Sequence, residues 1–192
     1  MGFEVLTTSL SALQRVAAGV GADALDLPTP CADWTVAQVL QHAAGDQYAW
    51  ASFVGSGALP TYDPFNPPAR PEGTVTALVD DAVAAAASAW DEVDPASDSV
   101  PTPLPPVPTL PADVAAAACA LDAGIHAWDV AVATGQPSPL TDDLAADLEP
   151  AARSVAEPLR GFAYAAPLDA VATDGPAAAL LRYLGRDPEW TA

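Results

Sequence analysis

Residues 111–135 read PADVAAAACALDAGIHAWDVAVATG, and this stretch decides the fold class. Alanine is the best helix former, and proline suits the first turn of a helix. The sequence therefore predicts a helix from about Pro111 to Thr134, with Gly135 as its C-cap. A chain so rich in alanine favours closely packed helices over a sheet, and strand-type alternation is hard to find elsewhere.

Two seams run along this predicted helix. The apolar seam should enter the core and consists of Leu121, Ile125, Trp128 and Val132. The polar seam consists of Cys119, Asp122, His126 and Asp129. Because residues three and four apart share one helix face, the polar seam flanks the apolar one. We expect it to face the interior of a helical bundle.

Apolar periodicity predicts five further helices. They cover residues 3–20, Thr35 to about Gly55, 74–93, 141–163 and 176–184. Four long helices make a four-helix bundle the economical architecture. We predict an all-α protein with one domain over residues 1–192, long Pro-rich connections and short extra C-terminal helices.

The connections 58–72 and 94–110 are rich in proline. Closely spaced prolines make a chain stiff and extended. We therefore expect 94–110 to cross the bundle from end to end. Both connections, the first with its Tyr62 and Phe65, are candidates for the walls of a substrate pocket.

Charge and composition exclude several classes of partner. The chain has 25 acidic residues against six arginines and no lysine, a formal net charge of -19. Such a surface repels nucleic acid and anionic lipid. No basic N-terminal region precedes an apolar run, and no uncharged apolar run is long enough to span a bilayer, which needs roughly 20 residues. We expect a cytoplasmic protein with a small-molecule substrate and no nucleic-acid or membrane partner.

The two histidines of the chain, His42 and His126, indicate a metal site. Asp122 and His126 lie one helical turn apart and can reach one ion between helices, with His42 as the third ligand. Two imidazoles and one carboxylate leave coordination positions open, as in catalytic zinc or non-haem iron sites. From spacing alone, structural or exposed histidines are the more common explanation of such a pattern.

Three neighbouring residues have two interpretations each. Asp46 and Asp129 follow the histidines and are candidate acceptors for the imidazole rings, or else solvated acids. Cys119 is either a fourth ligand or a small buried apolar residue.

Three motifs resemble one known superfamily. Residues 29–42, TPCADWTVAQVLQH, resemble the TPC-x-x-W-T-V…H signature of the DinB / mycothiol-dependent maleylpyruvate isomerase-like proteins. Residues 122–135 resemble its E-x-x-x-H-x-W-D-x-A-x-A-T-G motif. Residues 184–190, LGRDPEW, resemble the GRDPxW ending of its short single-domain members. In this order the motifs cover essentially the whole chain.

The resemblance implies a DinB-like four-helix bundle that holds a divalent ion, usually zinc, through His42, Asp122 and His126. It also implies the thiol cofactor mycothiol, which would bind the metal and attack an electrophilic substrate. For Cys31 the resemblance suggests a structural role. The alternative is a reactive thiol, because Cys31 lies just before a helix N-terminus.

The chain departs from the family pattern in two ways. Asp122 stands where the family usually has glutamate, so metal affinity or metal choice is expected to differ. The extra C-terminal domain of maleylpyruvate isomerase is missing from these 192 residues. Maleylpyruvate isomerisation itself is therefore not expected.

Three functions remain open on the sequence. The first is a metal-dependent thiol transferase or isomerase. The second is a metal-dependent hydrolase, isomerase or cyclase that needs no thiol and acts on a biosynthetic intermediate. The third is a non-catalytic binding protein on a decayed bundle. A homodimer is compatible with each of them.

Overall fold

The computed structural model describes residues 3–31, 33–55 and 57–191, and it is mostly helical. Residues 1, 2, 32, 56 and 192, which the one-domain prediction also covers, lie outside this part. The helices are α1 (Glu4–Ala18), α2 (Val36–Val54), α3 (Val75–Asp91), α4 (Ala112–Ala133), α5 (Asp142–Val155) and α6 (Pro176–Tyr183). The short strands are β1 (Val100–Pro101) and β2 (Thr109–Leu110). The all-α prediction is confirmed.

Helix α4 is the centre of the molecule. Of its 22 residues, 17 are buried, and it packs against α1, α2 and α5. Helix α3 closes the bundle against α1 and α2, while α6 packs on α5. Small alanine side chains on nearly every side of α4 let its neighbours approach closely, so the polar seam is enclosed together with the apolar one.

The apolar character of α4 belongs to the core. The helix is long and apolar enough to span a membrane, but 89% of its most apolar window is buried inside the bundle. This is the only helix in the described residues that meets both criteria.

Helix ends follow the signals in the sequence. The Gln38 side chain accepts a hydrogen bond from the Thr35 backbone N–H at 3.1 Å, as expected of a capping box. Thr141 Oγ1 accepts from the Leu144 N–H at 3.1 Å and caps α5. Gly135 takes the left-handed conformation after α4, with φ of 68°.

The predicted helix over 141–163 is too long. Helix α5 ends at Val155, and a short 3₁₀ turn, Glu157–Leu159, follows it. Gly161 then takes a φ of 78°, a left-handed conformation that no α-helix continues through. As a result, the chain after Leu159 leaves the helical path, and Phe162 is exposed at the surface.

The prediction that 94–110 crosses the bundle is wrong. The segment doubles back on itself, and β1 pairs antiparallel with β2 in the register Val100–Leu110. The Thr102 N–H continues the pairing by donating to the Pro108 carbonyl oxygen at 3.1 Å. Pro103, Pro105 and Pro106 lie in the turn between the strands, where a backbone N–H donor is not needed.

The turn after α6 requires glycine. Gly185 has a φ of 80°, and a Cβ at this position would lie 2.7 Å from the Ala165 Cβ and 2.8 Å from the Ala166 carbonyl oxygen. Both the backbone conformation and the close approach exclude a side chain. The turn places Arg186 against α4.

Gly185→Ala should lower the free energy of unfolding by about 3 kcal/mol, because it adds a steric clash to the left-handed strain. Gly73→Ala is the matched control, since Gly73 has a φ of 88° and a Cβ there would meet nothing within 4 Å. Strain alone should cost that variant about 1 kcal/mol. Urea unfolding of both variants checks the difference, and equal losses would contradict the close packing at Gly185.

Candidate metal centre

Three ligand atoms from α2 and α4 meet between the helices. Asp122 Oδ1 lies 3.3 Å from His126 Nε2 and 3.6 Å from His42 Nε2. The two imidazole rings are 4.8 Å apart between centroids and nearly perpendicular. His42 and His126 are buried, and Asp122 is half-buried. The structure thus brings together the three residues that the sequence predicts as ligands.

Both imidazole rings are held by hydrogen bonds on their far nitrogens. His42 Nδ1 donates to the Pro64 carbonyl oxygen at 2.8 Å, and His126 Nδ1 donates to Asp129 Oδ2 at 3.0 Å. Gly45 makes the first contact possible, because a Cβ there would lie 2.8 Å from the Pro64 ring. With both Nδ1 atoms donating, Nε2 is the nitrogen of each ring that faces Asp122 and is available to an ion, as in ligating histidines.

The geometry fits a divalent ion. Ligand atoms bound to tetrahedral zinc at about 2.0–2.2 Å are about 3.3–3.6 Å apart, which matches the two nitrogen–oxygen distances to Asp122. The second carboxylate oxygen, Asp122 Oδ2, is buried and has no hydrogen-bond partner among the described residues. A buried carboxylate oxygen without a donor is costly, and a cation is the group that would satisfy it.

The charges at the site depend on one another. Burial favours the neutral form of Asp122, but the two imidazoles outweigh it and lower the pKa of this carboxyl. Burial likewise opposes a charged His126, yet Asp122 and Asp129 raise its pKa well above the usual value. Without an ion, the protonated His126 imidazole lies between the Asp122 and Asp129 carboxylates and donates to both. A bound ion would replace that proton, so protons and metal compete for this ring.

Asp129 is completely buried and carries a dense set of contacts. Arg186 Nε lies 2.9 Å from Asp129 Oδ1, and Arg186 Nη2 lies 3.0 Å from Oδ2. Cys31 Sγ donates to Asp129 Oδ2 at 3.4 Å and accepts from Arg186 Nη2 at 3.3 Å. Burial would raise the pKa of Asp129, but Arg186 and His126 lower it to about 2.

The other predicted site residues have different surroundings. Asp129 contacts the His126 imidazole as expected. Asp46 makes no such hydrogen bond to His42, because the Pro64 carbonyl oxygen accepts from His42 Nδ1 instead. Burial and the charge of Asp122 raise the pKa of Asp46 well above its usual value. Cys119 donates to Gln47 Oε1 at 3.1 Å and is fully buried, outside the cluster of ligand atoms.

A cavity of about 690 Å³ opens beside the three ligands. His42 and His126 line it together with Trp34, Phe65 and Arg186. Connection 58–72 contributes Phe65 as predicted. Tyr62 instead packs on α2, where its hydroxyl donates to the Gln41 carbonyl oxygen at 2.6 Å.

The predicted role of connection 94–110 in this cavity is wrong. The hairpin lies beside Phe53 and lines a separate surface cavity. Residues 162–165 and 184–186, from the C-terminal part of the chain, take its place. They reach the site because the chain turns out of α5 early and turns again at Gly185.

Sequence reasoning missed Arg186, the Pro64 carbonyl and Phe162. Arg186 lies inside the quoted motif LGRDPEW, so the motif signalled its position but not its partner. A backbone carbonyl has no sequence signal. Phe162 fell within a segment predicted to be helix, which hid its exposure.

One known family matches most of the chain. The profile of the family described as Mycothiol maleylpyruvate isomerase N-terminal domain matches residues 6–131. That range contains nearly all of α1, the whole of α2 and α3, and His42, Asp122 and His126, but it ends before Arg186 and Phe162.

Similar proteins occur in Mycobacterium tuberculosis. The uncharacterized proteins Rv0738 and MT0763, from two strains, are each 33% identical to this chain over 148 residues. The match covers 77% of this chain and 75% of each relative. No solved structure matches the chain.

Arg186→Met should lower the free energy of unfolding by about 3–5 kcal/mol, because it leaves the Asp129 carboxylate buried without its charge partner. Arg153→Met is the matched control, since Arg153 and Glu149 form an ion pair with about half of each side chain exposed. It should cost less than about 1 kcal/mol. Thermal or urea unfolding measures both, and a loss at Arg186 no larger than at Arg153 would contradict a buried ion pair.

Asp129→Asn should weaken zinc binding about 10–100-fold, because His126 loses the carboxylate that orients its ring. The measurement is competition against a chromogenic zinc chelator. Asp143→Asn, an exposed acid in the first turn of α5, controls for the loss of one negative charge. Equal affinities for the two variants would show that Asp129 does not support a metal ligand.

Proposed function

The chain belongs to the family of mycothiol maleylpyruvate isomerase N-terminal domains, and from that premise we propose that it is a divalent-metal-dependent enzyme. In this proposal a low-molecular-weight thiol, with mycothiol as the one that the family name indicates, attacks a small electrophilic substrate. The reaction class is thiol transfer or thiol-dependent isomerisation. Zinc is the metal that best fits the donor set of two imidazoles and a carboxylate.

One observation carries the proposal. Three ligand atoms lie within 4.8 Å of one another, and the carboxylate among them keeps a buried oxygen without a donor among the described residues. Other buried polar atoms without a partner among the described residues belong to neutral side chains, whereas Asp122 Oδ2 belongs to a carboxylate, for which burial without a partner costs more. The two histidines also border a cavity large enough for a small ligand, so a metal bound there would be reachable from outside.

Different residues of the chain have different roles in this proposal. His42, Asp122 and His126 would hold the ion. A divalent ion in this position lowers the pKa of a thiol that binds to it, so the thiolate forms near neutral pH. The Pro64 carbonyl oxygen and Asp129 keep the two rings oriented, and each holds an Nδ1 proton away from the site. This leaves both Nε2 lone pairs free for the metal.

Aromatic side chains keep bulk water from the ligands. Trp34 packs on His42 with ring centroids 4.6 Å apart, and Phe65 packs on the same ring at 5.4 Å. A less polar surround strengthens the electrostatic pull of an ion on a bound thiol. We place the activity in the cytoplasm, without nucleic-acid or membrane partners, and dimerisation stays a prediction.

Metal content is the first test. Protein purified without chelator and without a nickel column should contain close to one equivalent of a divalent ion by elemental mass spectrometry. His42→Ala and His126→Ala should each lose it, because each removes one of three ligands, while Asp143→Asn should retain it. A parent protein that holds no metal and takes up none from added zinc would overturn the proposal.

The thiol is tested separately on the metal-loaded protein. Isothermal titration with mycothiol should show binding that disappears in His126→Ala. Turnover of an electrophile should require both metal and thiol. Turnover that needs metal but is indifferent to thiol would favour the thiol-independent enzyme instead. A protein that binds neither metal nor thiol, and is as stable after His42→Ala as before, would indicate a non-catalytic bundle.

A further inference from the structure

The cavity beside the ligands has an aromatic wall. Phe65 and Phe162 stack with ring centroids 4.8 Å apart and an angle of 38° between the rings. They come from segments almost 100 residues apart in the chain. Trp34 packs on His42 and also lines the cavity. A ligand in the cavity therefore lies against aromatic rings beside the two histidines.

This wall is exposed to an unusual degree for phenylalanine. Phe162 is 61% exposed and Phe65 is 45% exposed. Exposed apolar side chains that cluster at a cavity mark binding surfaces more often than scattered ones do. The two rings here are paired and border a cavity of about 690 Å³, within the range of small-molecule sites. A flat ring system would cover them by offset stacking or edge contacts.

The charges around the cavity exclude an anion as the preferred ligand. Among the described residues, Arg186 is the only basic side chain in the lining apart from the histidines. Its Nε and Nη2 atoms already bind Asp129 and Cys31, so the buried carboxylate neutralises its charge. The lining also contains Asp33, which is exposed. Together with the net charge of -19, it repels negative ligands.

We propose that the aromatic wall of Phe65, Phe162 and Trp34 selects small, flat aromatic compounds that carry no negative charge as substrates. That these substrates are electrophilic rests on the proposed function, whereas the binding of their aromatic part depends only on the wall. The wall extends beyond the matched family range, since Phe162 follows residue 131. The selectivity is therefore a property of this chain's C-terminal segment acting together with connection 58–72.

Binding of three matched probes tests the inference without catalysis. The probes are 2-naphthol, its saturated and non-planar counterpart decahydro-2-naphthol, and the anion 2-naphthoate, each titrated into metal-free full-length protein by calorimetry. Naphthol should bind about tenfold more tightly than either of the others, because only it is both flat and uncharged. Equal or tighter binding of decahydronaphthol or naphthoate would overturn the proposal.

Substitutions in the wall test whether naphthol binds there. Phe162→Ala should weaken naphthol binding about fivefold or more. Phe162→Leu should weaken it nearly as much, because leucine keeps the apolar bulk but has no aromatic ring. Phe53→Ala is the control, since Phe53 is also 45% exposed but lies beside the hairpin. It should leave binding unchanged. A loss in Phe53→Ala equal to that in Phe162→Ala would contradict the site.

The two proposals fail in distinguishable ways. If the parent protein binds no metal or shows no thiol-dependent turnover but still binds naphthol at Phe162, the proposed function is wrong and the aromatic site stands. If it holds zinc and binds mycothiol but does not discriminate among the probes, the aromatic site is wrong and the proposed function stands.

Discussion

The buried ion pair between Arg186 and Asp129 connects the C-terminal turn to the candidate metal ligands. Asp129 has no exposed side-chain surface, and its two oxygens are shared among Arg186, Cys31 and His126. A carboxylate cannot stay charged in such a position without a cation beside it. Three segments therefore meet at the Asp129 carboxylate: the C-terminal turn, the loop before α2, and helix α4. The orientation of the His126 ring depends on this contact.

The same constraint explains why α4 can carry acidic residues through the centre of the bundle. Asp122 and Asp129 are one turn on either side of His126, and each lowers the cost of burying the other by holding the imidazole between them. Alanine on the remaining positions lets α1, α2 and α5 approach closely. The helix is thus apolar enough to build a core and polar enough, along one seam, to build a site.

The cavity combines two parts of different origin. The ligands and Trp34 lie within the range that matches the family, while Phe162 and Arg186 lie outside it. The candidate metal ligands thus belong to the shared part of the bundle, whereas the aromatic wall combines Trp34 and Phe65 of that part with Phe162 of the C-terminal segment. Such a division is common where a rigid scaffold positions the reactive groups and a connecting segment supplies the contacts to the ligand.

The sequence by itself determined the helices apart from the end of α5, several of their caps, and the identity of the three residues that converge. Those features depend on local periodicity, on end signals such as Thr35 with Gln38, and on the presence of only two histidines. Tertiary structure decided the rest. Three features depend on groups distant in sequence: Pro64 rather than Asp46 orients His42, Arg186 pairs with Asp129, and 94–110 folds back as a hairpin. Local patterns do not encode such contacts, because a backbone carbonyl or a left-handed glycine acts only where packing brings another segment against it.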